Sequence, residues 1–286
     1  MKPLILQSDF GYSDGAVSAM HGVAYTLSSE LTIHNLTHNI PPYDVWEGSC
    51  RLVQTVGYWP EGSVFVSVVD PGVGSDRLSV VAKTKSGHYV VTPDNGTLTH
   101  LAIEYGIEEL REIDESVNRL PGSAHSYTFH GRDIYSYTGA RLAAGIISFE
   151  EVGPALNSED VITLPVMKPR VEDNRVLGTI DTHDVRYGSL WTNIPRELFL
   201  ELGIEMGQYA RVHIENDRGE VYSAPLKYVR SFADVSIGEA LIYTNSLDNI
   251  AVAINRGSFA RAYSVGQGTH WKVDFTFPIT DAPCHY

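Results

Sequence analysis

Cysteine is nearly absent from this 286-residue chain: there are two, Cys50 and Cys284, and neither stands in a CxxC pair. That excludes a disulfide framework and a cysteine zinc site. Lys and Arg form no run, and 21 basic residues face 35 acidic ones, a net charge of −14. Nucleic-acid and membrane-surface binders carry basic patches, so neither partner is expected. The sign suits a cationic small molecule better. No apolar stretch approaches the roughly 20 residues that a membrane helix needs. Residues Met1 to Gln7 hold only a short apolar run before a polar turn, too little for a signal peptide, so a cytoplasmic protein is expected. HExxH, a calcium loop, the P-loop lysine and a full GxGxxG are all missing. His34 and His38 stand four apart. They flank a stretch read as a strand end and loop, so the spacing that pairs metal ligands on a helix has no meaning there. A structural role is expected for both, and no metal or cofactor is expected.

What is present is a globular composition, 43% apolar and 20% charged. A chain of this length and make-up can bury a substantial core in one large or two modest domains. The first part alternates strand and helix signals as parallel α/β layers do. Strands are expected at Pro3 to Leu6, Leu31 to Leu36 and Val64 to Val69, with a hairpin of Ser79 to Thr84 and Tyr89 to Thr92 through Lys85-Ser86-Gly87. Helices are expected at Ser13 to Leu27, capped by Ser13 or Asp14, and at Val45 to Tyr58, Asn95 to Glu104 and Ile134 to Gly145. After Leu164 the texture changes. We expect an α/β domain with a mostly parallel central sheet over residues 1–166 and a linker over 167–174. A smaller all-β, barrel-like domain is expected over 175–286, with strands at Arg175 to Ile180, Tyr209 to Glu215, Val221 to Leu226, Ala240 to Thr244, Ile250 to Ile254 and Trp271 to Phe275.

Polar residues gather where the strands of the first domain end, which is where open α/β sheets bind ligands. Asp9 follows the first strand, Asp70 the central apolar one, and Asp94 another; Phe129-His130-Gly131-Arg132-Asp133 precedes a helix. Singly, each has an ordinary reading. Asp70-Pro71-Gly72 makes a turn, Asp9 a helix start, His130 a satisfied structural histidine and Arg77 a surface ion pair. Ser246 reads as a turn residue, and Tyr43 and Tyr187 as core aromatics.

Together the stretches say more. Gln7-Ser8-Asp9-Phe10-Gly11 with Asp14-Gly15, Pro41 to Gly48, Val69-Asp70-Pro71-Gly72-Val73-Gly74 with Arg77, Pro93 to Gly96, Phe129 to Asp133, Asp184 to Ile194, and Asn245-Ser246 with Ala253-Ile254-Asn255 are seven motifs in one order. They resemble the motifs of the SAM hydroxide adenosyltransferases, which hydrolyse S-adenosylmethionine to adenosine and methionine and are related to the fluorinase and chlorinase. The resemblance implies a homotrimer whose active sites lie between the N-terminal domain of one subunit and the C-terminal domain of the next. It implies a catalytic set of Asp70, Arg77 and His130. Asp9 would hold the ribose hydroxyls, with Tyr43 and Phe129 packed around the ribose or adenine. Asp184 and Ser246 would hold the methionine end, and Tyr222, Asn255 and Arg256 would border the adenine; Tyr187 and Ser189 would belong to the substrate-binding set, Ser189 at the position where the family's Asn contacts adenine. S-adenosylmethionine enters as substrate, so no cofactor is implied.

The chemistry agrees. A sulfonium leaves as a neutral thioether and needs no acid, so the protein has to supply an oriented water in line with the C5′–S bond. Arg favours the hydroxide form, and a carboxylate or imidazole takes the proton; spacing leaves open whether Asp70 or His130 does so. The alternatives are a halogenase of the same fold and a non-catalytic nucleoside sensor. Halogenases resembling this chain carry an aromatic residue in place of Asp70, a longer insertion at Lys85-Ser86-Gly87 and Tyr-Ser in place of His130-Gly131. A sensor could dispense with Asp70, Arg77 and His130 altogether. One departure stands out: the family's Phe-Gly-Asn reads Tyr187-Gly188-Ser189 here.

Overall fold

The computed structural model describes residues 1–279, and the chain separates into two units, residues 1–164 and the part that begins at Pro165. Cys284 lies outside the described residues. The first unit runs β1 (Leu4–Ser8), α1 (Ala16–Leu27), β2 (Ile33–Thr37), α2 (Val45–Val56), β3 (Val64–Val68), β4 (Ser79–Thr84), β5 (Tyr89–Pro93), α3 (Thr99–Glu104), β6 (Ile107–Glu112), α4 (Tyr137–Ala144) and β7 (Ala155–Leu156). Its seven-stranded sheet has the order β2-β1-β3-β5-β4-β6-β7. β2, β1, β3 and β5 are mutually parallel. β4 runs antiparallel to both β5 and β6, so β6 points the same way as the parallel block.

Every residue of β1 and β3 is buried. A strand covered on both faces is a continuous apolar run rather than an alternating one, which is what Val64 to Val68 offers. α4 lies so close to the sheet that a Cβ on Gly139 would come within 2.4 Å of Val66 Cγ2. α2 starts on Asp44, whose carboxylate accepts the Glu47 N–H. α1 begins later than its pattern suggests: Gly15 is its cap, and the Asp14 carboxylate takes the Ala16 N–H at 2.9 Å. Before α4 the chain makes a π-helical turn over Gly131–Ser136.

The second unit holds β8 (Arg170–Glu172), β9 (Arg175–His183), β10 (Leu190–Pro195), α5 (Arg196–Leu200), β11 (Tyr209–Asn216), β12 (Gly219–Tyr228), β13 (Ala240–Thr244), β14 (Asn249–Ile254), α6 (Phe259–Ala262) and β15 (Lys272–Thr276). The order β10-β14-β13-β12-β11-β15-β9 closes through a β9–β10 pairing into a seven-stranded barrel, with β8 added outside β9. Closure leaves no free edge among the seven. Its core is built on Phe199, Tyr228, Phe259 and Phe275, all buried. β8 falls inside the stretch read as a linker. Among the described residues no helix is long and apolar enough to cross a membrane.

Candidate active site

The carboxyl ends of β1, β3 and β5 lie side by side, and Asp9, Asp70 and Asp94 leave the sheet there. β4 is antiparallel, and its first residue Ser79 pairs with Pro93 at the end of β5, so Arg77 arrives at the same edge from the opposite direction. His130 caps the π-helical turn that follows. Single-turn π-helical segments recur at functional sites because the extra residue re-aims a side chain.

Arg77 connects these elements. Its Nε and Nη2 donate to Asp70 Oδ1 and Oδ2 at 2.9 and 2.5 Å. Nη1 donates to Ser79 Oγ at 2.9 Å, and Nη2 lies 3.0 Å from His130 Nδ1. The Arg77 and Asp70 side chains are 10% and 5% exposed. Burial works against the guanidinium charge, but the hydrogen bonds to Asp70 together with the Tyr135, Asp70 and Glu115 charges outweigh it and hold its pKa above the ordinary value. His130 is shifted the other way, below the usual imidazole range, first by burial and then by the Arg77 charge. A neutral imidazole is therefore expected at pH 7. Guanidinium only donates, so Nδ1 accepts and the ring hydrogen is assigned to Nε2. That Nε2 is buried and has no hydrogen-bond partner among the described residues. Behind Arg77, Ser79 Oγ meets the Tyr135 phenol at 3.1 Å.

The triad opens onto a cleft of about 270 Å³ lined by Asp9, Phe10, Pro42, Tyr43, Val68, Asp70, Val73, Thr128, Phe129, His130 and Gly131. Asp9 Oδ2 accepts the Tyr43 N–H at 2.8 Å. Burial raises the Asp9 pKa, the Tyr43 bond opposes this, and the Asp70 charge adds to the rise. Tyr43 holds a left-handed backbone, φ 69°, and its side chain is 73% exposed rather than core. Phe10 and Phe129 meet edge to face at 5.6 Å. A Cβ on Gly131 would come within 2.8 Å of the Phe10 ring, so this glycine is what lets the ring lie over the turn. The structure thus brings Asp9, Tyr43, Asp70, Phe129 and His130 to one cleft, with Arg77 behind it. Sequence reasoning had not singled out Phe10, Ser79 or Tyr135. Phe10 sits inside a motif already noted; Ser79 and Tyr135 look like ordinary strand and helix residues until they are seen touching.

The other predicted residues lie on the barrel. Asp184 opens the β9–β10 turn: Oδ1 accepts Arg186 N and Tyr187 N at 3.1 and 3.3 Å, and Asp184 N donates to Ser189 O at 2.9 Å. Tyr187 is 69% exposed. Ser189 is buried, and its hydroxyl meets the Tyr243 phenol. Gly188 O accepts Ala260 N at 3.0 Å, which ties this turn to the segment after β14, where Asn255 and Arg256 lie. Asn255 Nδ2 donates to Val235 O at 3.0 Å, and Arg256 is exposed with φ 56°. Tyr222 meets Phe259 and Tyr263 edge to face, and burial followed by Tyr263 pushes its phenol up to about 12. Ser246, in the β13–β14 turn, stands at the opposite end of β14 from Asn255 and Arg256, so the barrel does not gather all its predicted residues at one place. Among the described residues no group of three or more His, Cys, Asp or Glu side chains is arranged to hold a metal ion.

Comparisons with known proteins meet this geometry. The family model of the SAM hydroxide adenosyltransferase N-terminal domain matches residues 4–153, and that of the C-terminal domain matches 178–272. The chain is 34% identical to an (R)-S-adenosyl-L-methionine hydrolase of Salinispora tropica, covering 93% of this chain and 95% of that one. It is 30% identical to a fluorinase of an Actinoplanes species over the same shares. A conserved protein from Thermotoga maritima has a similar crystal structure, with TM-score 0.86, 33% identity, and 96% and 99% of the two chains covered.

Proposed function

Since the chain belongs to the SAM hydroxide adenosyltransferase family, we infer that it is an enzyme and hydrolyses S-adenosyl-L-methionine to adenosine and L-methionine. The observation that carries this reading is the Asp70–Arg77–His130 cluster on the wall of a cleft that also holds Asp9.

In the proposed reaction a water oxygen attacks C5′, the C5′–S bond breaks, and its electron pair stays on sulfur as neutral methionine. One water proton goes to a base, and the tautomer favours Asp70 over His130. His130 Nδ1 is engaged by Arg77 and the buried Nε2 carries hydrogen, so neither ring nitrogen is free to accept the water proton. Asp70 keeps a second lone pair on each oxygen beyond those used by Arg77. Arg77 supplies fixed positive charge where hydroxide character develops. The Asp9 carboxylate offers two acceptor oxygens to the ribose diol, a charge-assisted contact. Tyr43 and Phe129 flank the sugar, and on the barrel Asp184 and Ser246 take the methionine end while Tyr187, Ser189, Tyr222, Asn255 and Arg256 border the adenine.

A halide nucleophile fits less well, because the Asp70 carboxylate on the cleft wall repels an anion. We further propose a cytoplasmic protein, as the sequence reading expects, and a homotrimer in which a neighbouring subunit covers the cleft; the exposed Tyr43 and Tyr127, 73% and 57%, support the second of these. Light scattering at three chain masses would support the trimer, and a monomer mass would overturn it. For the reaction itself, incubation with S-adenosylmethionine followed by chromatography should yield adenosine. Intact substrate, or a halogenated nucleoside, would overturn the assignment.

A further inference from the structure

The Asp9 loop is held by a hydrogen-bond chain, buried at Ser8 and His38, that the reaction itself does not use. Ser8, the last residue of β1, and His38, just past β2, are both 0% exposed. Ser8 Oγ lies 2.6 Å from His38 Nδ1 and accepts the Phe10 N–H at 3.3 Å. His38 Nε2 lies 3.0 Å from Asn35 Oδ1, which also meets His21 Nε2 at 2.9 Å. A carbonyl oxygen only accepts, so His38 carries its hydrogen on Nε2, and its Nδ1 accepts the Ser8 hydroxyl. The backbone adds a second tie: Gly11 N donates to His38 O at 2.7 Å, with Gly11 in the left-handed region at φ 67°. Tyr12 covers the imidazole edge to face at 5.3 Å. One residue thus grips the chain on both sides of Asp9 and Phe10, through Ser8 before them and Gly11 after them.

Resting on the reading of the cleft as a nucleoside site, we propose that His38 is a positioning residue for the reaction: through Ser8 and Gly11 it fixes the turn that aims the Asp9 carboxylate at the ribose diol. Burial keeps the imidazole neutral by pulling its pKa down to about 4, so the chain keeps one tautomer across the neutral range. A buried Ser8–His38 pair with both imidazole nitrogens hydrogen-bonded specifies a single local geometry. The pair His34 and His38 then owes its second member to the Asp9 turn and not to a metal.

The test separates positioning from general stability. Wild type, His38→Leu, His38→Asn and Ser8→Ala are titrated by calorimetry with adenosine and with 2′,3′-dideoxyadenosine, which lacks the diol, and assayed for turnover. His38→Leu should weaken adenosine binding and raise the KM for S-adenosylmethionine about tenfold, as loss of one or two hydrogen bonds would. Dideoxyadenosine affinity and kcat at saturating substrate should stay within about twofold, in line with an effect confined to that contact. His38→Asn offers Oδ1 near the place of Nδ1 and should recover most of the loss. Equal weakening of both nucleosides, or of neither, overturns the proposal. If His38→Leu fails to fold by circular dichroism, Ser8→Ala carries the same comparison with the same two outcomes. A wild type that binds neither nucleoside would overturn the nucleoside reading of the cleft, whereas one that binds both equally would take Asp9 off the diol and overturn the His38 role alone.

Discussion

Replacing Asp70 with Asn keeps the shape of the side chain and removes its charge, and two separate effects should follow. Asp70 and Arg77 are 5% and 10% exposed and share two hydrogen bonds. Removing one partner of a buried pair costs about 3–5 kcal/mol. Asn keeps one acceptor oxygen, so the lower end, about 3 kcal/mol, applies. At about 2–4 °C per kcal/mol for a chain of this size, the thermal midpoint should drop by roughly 6–12 °C. The second effect is on rate. A positioned base contributes about 100- to 10,000-fold, and Asn cannot take a proton from water, so kcat should fall by a factor in that range. The assay is chromatographic release of adenosine at saturating substrate, below the melting temperature of the variant. Adenosine binding by calorimetry serves as a control and should stay within about threefold, because Asp9, not Asp70, faces the diol. If kcat stayed within about threefold of wild type while the thermal midpoint fell, Asp70 would be a structural partner of Arg77 and the proton assignment would be wrong.

His130→Ala removes the Nδ1 contact that helps place the Arg77 guanidinium and should lower kcat about 100-fold in the same adenosine assay, as misplacement of a catalytic group does; an unchanged rate would remove His130 from the site. Gly131→Ala puts a methyl 2.8 Å from the Phe10 ring, so the ring must leave its edge-to-face contact with Phe129, and adenosine affinity should weaken about tenfold by calorimetry; unchanged binding would show that the ring pair does not shape the subsite. Stability should fall on acidification. Burial takes His38 and His100 from 6.5 to about 4, so the unfolded chain gains protons near 6.5 that the folded chain refuses until about 4. Their contribution is intact above 6.5 and lost as pH falls through that window, on the order of 2–3 kcal/mol for each residue. Urea midpoints at pH 7 and pH 5 check this, and a flat profile would contradict it.

Much of the architecture was legible because the signals were local. Val64 to Val68 had to be a covered strand, and the Asp70-Pro71-Gly72 turn after it had to lie at a sheet edge. Six of the barrel-domain strands could be read from their pattern, but β8 and β10 were not read as strands, and with β10 went the closure, which pairs Leu190 with His183. Starts of helices were harder. α3 begins at Thr99 and not at Asn95 because the Asn95 side chain is drawn to Val69 O and to Thr97 instead of opening a helix. β6 was missed because Ile107-Glu108-Glu109-Leu110-Arg111-Glu112 is too charged to read as a strand; it is held by pairing with β4, which no local pattern shows. Asp70 and Arg77 were found by motif order. The contact of Arg77 with His130, 53 residues further on, and the support from Ser79 and Tyr135 are products of tertiary packing.

The most direct measurement of the central claim is turnover in oxygen-18-labelled water with mass analysis of both products. Water attack at C5′ places one labelled oxygen in the 5′-hydroxyl of adenosine and none in methionine. Unlabelled adenosine, or label carried by methionine, would mean that no water in this cleft attacks the ribose carbon.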